Sequence, residues 1–60
     1  MKWAELTRIA KNNGWHFLRH GAKHDIYIHE EKDYYIHIGR HASEEIRKGT
    51  YNDLKKKIGY

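Results

Sequence analysis

The sequence contains no cysteine and no proline among its 60 residues. Without cysteine, the chain can form neither a disulfide scaffold nor a zinc site with thiolate ligands. It also lacks a long apolar run, whereas a membrane-spanning helix needs roughly 20 apolar residues, so we predict a cytoplasmic protein with no membrane role. A chain this short buries only roughly 60% of the surface that its unfolded form exposes, which predicts one domain, residues 1–60, with one small core.

The charged residues are weighted towards the basic side. Twelve Lys and Arg against eight Asp and Glu give a formal net charge of +4, before any of the six His is protonated. This excess of positive charge indicates a polyanionic partner, and nucleic acid is the first candidate. Five Tyr and two Trp supply enough apolar area for a small core, so we do not expect disorder.

The first segment has the periodicity of an amphipathic helix over Lys2–Asn13. Its apolar residues recur at helical spacing, and its charged residues fall on the other side. The apolar stripe consists of Trp3, Leu6, Ile9 and Ala10. Gly14 can take the left-handed conformation that ends a helix, and Trp15 can then fold back onto the stripe. We therefore expect both tryptophans to be core residues.

Three segments of period two follow, at Trp15–His20, His24–His29 and Tyr34–Ile38. The first two are joined by a short turn at Gly21, and a charged loop leads into the third, so the three form an antiparallel meander. Alternation along the strands predicts that four isoleucines share one buried face. These are Ile26, Ile28, Ile36 and Ile38.

The last part of the chain combines a polar connection with a second helix. Residues 42–48 are predicted to form a surface connection with a helical turn around Glu44–Arg47. Thr50 is a good N-cap with Asp53 three residues later, so the helix is predicted to begin there. Its apolar side consists of Tyr51, Leu54 and Ile58. The order predicts an α+β fold, a two-layer α-β-β-β-α sandwich with both helices on one face of a three-stranded antiparallel sheet.

Short motifs in a fixed order cover nearly the whole chain. They are Lys2-Trp3-Ala4-Glu5-Leu6, Asn13-Gly14-Trp15, Gly21-Ala22-Lys23-His24, Arg40-His41, Gly49-Thr50 and Leu54-Lys55-Lys56-Lys57-Ile58-Gly59. This set resembles the HicA family, small ribonuclease toxins of toxin–antitoxin modules whose fold is like the double-stranded-RNA-binding domain. The resemblance implies an endoribonuclease that cleaves mRNA, uses no metal or cofactor and is neutralised by a cognate HicB-type antitoxin. Two positions depart from the family, because Ala22 stands where Ser is usual and Gly39 where Pro is common.

The resemblance aligns the histidine held necessary for RNA cleavage in the family with His24. Cleavage without a metal needs a base for the 2′-hydroxyl proton, an acid for the leaving 5′-oxygen and cations near the phosphate. His24 follows a glycine turn, where backbone can approach a substrate closely. His20, across the hairpin, and His41, after the third strand, are candidates for the second acid or base. The candidate RNA-binding cations are Lys23, Arg19, Arg40, Lys55, Lys56 and Lys57.

Strand parity assigns several aromatic side chains to faces of the sheet. His24 shares parity with the isoleucines of its strand, so we expect it at the end of the helix-covered face. His29 and His37 are expected on the open face. Tyr27 and Tyr35 also have that parity, and could be exposed stacking surfaces or half-covered sheet residues, the second interpretation being favoured.

Other interpretations use the same residues. A non-catalytic RNA-binding module would share the fold and the charge, and differ only in whether His24 acts chemically. The lysines of the last helix could clamp phosphates or form its solvated face. A zinc site at His20 and His24 is discounted, because a glycine turn separates them and no cysteine or carboxylate cluster completes the shell. An interaction domain with no nucleic-acid role would leave the positive charge unexplained.

Overall fold

The computed structural model describes all residues from 1 to 60, and its elements follow the predicted order. They are α1 (Trp3–Asn12), β1 (Trp15–His20), β2 (His24–His29), β3 (Ile36–Gly39) and α2 (Lys48–Ile58). The three strands form one antiparallel sheet in the order β1-β2-β3. The α+β fold with the order α-β-β-β-α is therefore confirmed. Neither helix has the length and apolar character needed to cross a membrane.

The end of α1 matches its sequence signals. Gly14 has a φ of 92°, a left-handed value that glycine adopts without steric cost. This turn folds Trp15 onto the apolar stripe, where only 1% of its surface stays exposed. At the start of the helix, the Glu5 carboxylate faces the backbone N–H of Lys2 at 3.5 Å, on the side where the helix dipole favours negative charge.

One apolar cluster joins both helices to a single face of the sheet. Its members are Trp3, Leu6, Ala10, Trp15, Tyr27, Ile36, Ile38, Ile46, Leu54 and Ile58. Both tryptophans are therefore core residues, as predicted, and Tyr51 packs against the cluster from α2. The opposite face of the sheet has no helix over it.

The register of the sheet corrects the predicted isoleucine face. Tyr27 lies opposite Ile36 in the β2–β3 ladder, whereas Ile26 lies opposite His37. Directly opposed residues project to the same face, so Tyr27 occupies the helix-covered face, and Ile26 with Ile28 occupies the open one. Ile26 is still only 3% exposed, because it lies in the central strand with the backbone of Gly21 against its side chain.

The connection before α2 makes a turn at Ala42–Ser43, closed by the N–H of Glu44 donating to the carbonyl of His41 at 2.9 Å. No helical turn follows it, so the predicted helical turn around Glu44–Arg47 is wrong. Glu45 forms an isolated antiparallel bridge with Lys2. The carbonyl of Glu44 accepts the N–H of Trp3 at 3.2 Å, and that of Ala42 accepts the N–H of Ala4 at 3.0 Å. The first N–H groups of a helix lack partners within it. The carbonyls of this connection supply those partners. The hydrogen bonds to α1 outweigh the local tendency of the connection to form a helical turn.

Two predicted boundaries also differ from the structure. Helix α2 begins at Lys48, with Arg47 at the N-cap and no side-chain hydrogen bond there, so Thr50 is inside the first turn and is not the cap. Strand β3 is Ile36–Gly39 instead of Tyr34–Ile38. Tyr34 therefore precedes the strand, and its hydroxyl donates to the carbonyl of Lys57 at 2.7 Å.

Candidate functional site

An open cleft of about 380 Å³ lies at the end of the sheet where β2 begins and β3 ends. Four of its lining residues are candidates from the sequence, namely Lys23, His24, Arg40 and His41. The remaining walls are Trp3, Gly39, residues 44–47 and Thr50. Residues from the hairpin turn, the end of β3 and the connection to α2 therefore meet at one place.

His24 is the first residue of β2, and its side chain is exposed at the mouth of the cleft. It lies opposite Gly39 in the ladder, and its ring centroid is 6.4 Å from that of Trp3. A Cβ atom at Gly39 would lie 2.5 Å from the Trp3 indole, so no other residue fits there without displacing the ring. The ring of His24 makes no hydrogen bond within the protein, which leaves both nitrogens free for a ligand.

Arg40 ties the hairpin that carries His24 to the end of β3. Its Nε donates to the Asp25 carboxylate at 3.0 Å, and its terminal nitrogen donates to the carbonyl of Gly21. The same nitrogen is 3.5 Å from the carbonyl of His24. Arg40 was predicted as an RNA-binding cation, and it does line the cleft. Its guanidinium is nevertheless occupied in bracing the turn.

Asp25 connects Arg40 to the second predicted histidine. The Nδ1 atom of His20 is 2.6 Å from the Asp25 carboxylate oxygen. This hydrogen bond and that from Arg40 lower the pKa of Asp25 below its ordinary value, against the opposing effect of partial burial. In the ladder His20 lies opposite Asp25, the residue that follows His24.

Comparison with known proteins decides the family. A family model described as the HicA toxin of bacterial toxin–antitoxin matches residues 3–60. The chain belongs to this HicA toxin family. The match confirms the resemblance drawn from the motifs, and no curated protein and no solved structure matches the chain.

A neighbour of His24 that sequence reasoning missed in this HicA toxin is His37. The two were expected on opposite faces of the sheet, but the ladder places both on the open face, with ring centroids 6.1 Å apart. His29, expected beside His37, lies instead on the face of Trp15, at 5.3 Å between ring centroids. The missing signal was the register of β2 against β3, which the long loop between them leaves unspecified.

The remaining candidate cations of the toxin lie outside the cleft. Arg19 is exposed on β1, opposite Ile26 on the open face. Lys55, Lys56 and Lys57 are exposed in the last turn of α2, where Lys57 is paired with Asp53 at 3.1 Å. No group of three or more metal-binding side chains comes together anywhere in the structure. The candidate cations are thus divided among the cleft, the open sheet face and the end of α2.

Proposed function

We propose that this HicA toxin is a metal-independent endoribonuclease that cleaves mRNA, with His24 as its catalytic residue. The observation that supports this most is the unbonded ring of His24 at the mouth of a cleft shared with Lys23, Arg47 and His41. An exposed imidazole beside cations is suited to proton transfer at a phosphodiester. The Trp3 indole, which packs against Gly39, lies on one side of the His24 ring, at 6.4 Å between ring centroids.

The proposed reaction needs only proton transfers and the substrate's own nucleophile. His24 takes the proton from a 2′-hydroxyl, and the 2′-oxygen attacks the adjacent phosphorus. The bond from phosphorus to the 5′-oxygen breaks, and a second group gives that oxygen a proton. The products are a 2′,3′-cyclic phosphate and a 5′-hydroxyl end. Each transfer by a positioned side chain typically contributes about 100-fold or more.

His41 is the proposed second acid or base, in preference to His20. His41 lines the same cleft as His24, whereas His20 is held by Asp25 at 2.6 Å. A proton donor must reach the leaving oxygen within hydrogen-bond distance or through one water. Only His41 of these two shares the space that a phosphate bound beside His24 would occupy.

Charge in the cleft favours a phosphate bound near Lys23 and Arg47. Neither side chain is engaged in a salt bridge, so both are available to offset charge on the transition state. Glu45, on the cleft wall, is paired with the N-terminal amine at 3.1 Å, which reduces its repulsion of a polyanion. Arg40 adds a positive field from its fixed position behind the turn.

A toxin of a toxin–antitoxin module has an antitoxin partner, and we propose that here it is of the HicB type. A domain of this size offers little surface for control at a distance. The partner is therefore expected to cover the cleft directly, and to be acidic there, since the toxin carries a net charge of +4. Modification of His24 by diethylpyrocarbonate should be blocked in the complex, and equal reactivity with and without the partner would contradict direct occlusion.

The test of the catalytic proposal is His24→Ala, assayed on single-stranded RNA in the presence of EDTA. Wild type should cleave, and the variant should lose about 100-fold or more of the rate with unchanged folding. His16→Ala is the matched control, because His16 is exposed and lies outside the cleft. Cleavage that survives His24→Ala would refute the assignment. RNA binding by wild type without any cleavage would favour a non-catalytic binding module.

A further inference from the structure

The open face of the sheet carries a row of residues that the core does not use. Arg19, Ile26 and His37 lie opposite one another across the three strands. Tyr35 adjoins this row, with its ring centroid 5.4 Å from that of His37. Tyr35 as a residue is 53% exposed, and its hydroxyl makes no hydrogen bond within the protein. The aromatic pair of Tyr35 and His37 is thus exposed on the same face of the sheet as Arg19.

The adjacent residue, Tyr34, is a tyrosine whose ring and hydroxyl both contribute to the fold. Tyr34 packs against Trp15 at 5.7 Å between centroids, and its hydroxyl bonds to the end of α2. Tyr35 contacts only the exposed ring of His37, and its hydroxyl makes no hydrogen bond within the protein. Tyr35 therefore presents an aromatic surface that the chain itself does not cover, and burial of that surface against a ligand would be favourable.

We propose that Tyr35 and His37 form a base-stacking subsite for single-stranded RNA, next to the cleavage centre. The inference rests on the proposed function, since His24 joins the two regions. It lines the cleft, and its ring lies 6.1 Å from that of His37 on the open face. A strand whose phosphate lies in the cleft would bring a neighbouring base over His37 and Tyr35.

Charge on the open face favours RNA as the occupant. The ladder residues that project there beside the proposed subsite include Arg19, His24 and His37, and none is acidic. The acidic residue of β2, Asp25, lies opposite Ile38 and therefore projects to the other face. Aromatic side chains stack on bases of any sequence, and they need bases that are already unpaired. The subsite is accordingly specific for single strands, not for a base sequence.

The experiment measures binding of a fluorescent 2′-O-methyl oligoribonucleotide, which cannot be cleaved because its 2′-oxygen is blocked. Tyr35→Ala should weaken binding about tenfold, in the range measured for loss of one stacked base. Tyr35→Phe keeps the ring and should bind like wild type. Phe17→Ala is the matched control, because Phe17 is 44% exposed but lies opposite Tyr27 on the other face. Circular dichroism checks that each variant is folded.

A second oligonucleotide with the same backbone but abasic sites separates stacking from phosphate contact. Wild type and Tyr35→Ala should bind it equally. Equal binding of the normal oligonucleotide by both proteins would overturn the proposal, and so would a loss that persists on the abasic strand. If Tyr35→Ala weakened binding of the antitoxin but not of RNA, the ring would belong to a protein contact, and the proposal would also be overturned. The cleavage assay of His24→Ala is independent of these results, so failure of the catalytic proposal is seen separately.

Discussion

The two ends of β2 each carry a histidine, and the two have opposite surroundings. His29 is half-buried, with Nε2 at 2.9 Å from the carbonyl of Asn13 and Nδ1 accepting the N–H of Glu31 at 3.0 Å. His24 is exposed, and neither of its nitrogens is bonded. A neutral imidazole has one donor and one acceptor, so His29 is fully used by the fold and His24 is fully available.

The two histidines differ in their hydrogen bonding because His29 lies near the C-terminal ends of the helices, whereas His24 lies near the start of α1. Near His29, aromatic side chains bond the last carbonyls of the helices, which lack partners within them. The indole N–H of Trp15 donates to Ile58 at 3.2 Å, and the hydroxyl of Tyr34 donates to Lys57. Near His24, backbone carbonyls of the connection before α2 accept the first N–H groups of α1 instead. Side chains at that end are thereby free for binding.

The largest expected effect on this comparison comes from Gly39→Ala at the His24 end. The new Cβ would lie 2.5 Å from the Trp3 indole, so we expect a loss of about 1–3 kcal/mol in the free energy of unfolding, and a disturbed cleft. Gly49→Ala is the control, because nothing lies within 4 Å of its Cβ position and alanine favours a helix. Urea denaturation measures both. Equal stability of the two variants would show that Trp3 is not locked in place.

A smaller effect is expected when the two histidines are exchanged for alanine separately. His29→Ala removes two hydrogen bonds and a contact with Trp15, so it should cost about 1–2 kcal/mol of unfolding free energy. His24→Ala should change stability by less than about 0.5 kcal/mol, as for an exposed residue without such partners. Thermal and urea unfolding test both. A larger loss for His24→Ala than for His29→Ala would reverse the comparison.

The smallest effect concerns the acid dependence of the braced hairpin. The folded-state pKa of Asp25 is lowered from 3.8, chiefly by its hydrogen bond from His20 and then by Arg40. Its stabilising contribution is therefore complete well above that value and is lost as the pH falls through the folded pKa. In urea titrations at several pH values, Asp25→Asn should reduce the decrease in unfolding free energy that wild type shows at low pH. Asp33→Asn should leave that decrease unchanged, because its side chain has no ion pair. Parallel curves for wild type and Asp25→Asn would contradict the brace.

The sequence predicted the fold correctly where a single residue type determines the local backbone conformation. Gly14 predicted the end of α1, and Trp15 after it predicted burial, because a left-handed turn brings that side chain onto the helix. The order of elements followed from similar signals. His24 was placed at an exposed turn by the glycine before it and by the family motif, and the cleft contains it.

The register of the sheet could not be predicted in the same way. The strand around Tyr27 offers apolar side chains to both faces, since a tyrosine ring buries as much surface as an isoleucine. Alternation alone thus allowed either face to be the core. The neighbours of His24 depended on this choice, which is why His37 was missed. The bond between Arg40 and Asp25 also joins residues that are distant in sequence, and no local pattern predicts it.

A bulge in β1 has a further consequence for how this family can vary. The ladder shifts between Phe17 and Arg19, so the strand buries Trp15 at its start and still presents Arg19 on the open face. Regular alternation from Trp15 would have turned Arg19 towards the helices. After the bulge, the side chains of β1 therefore no longer follow the alternation of faces that begins with the buried Trp15. Insertion or loss of one residue here can re-aim a cation towards a different ligand while the packing around Trp15 is inherited unchanged.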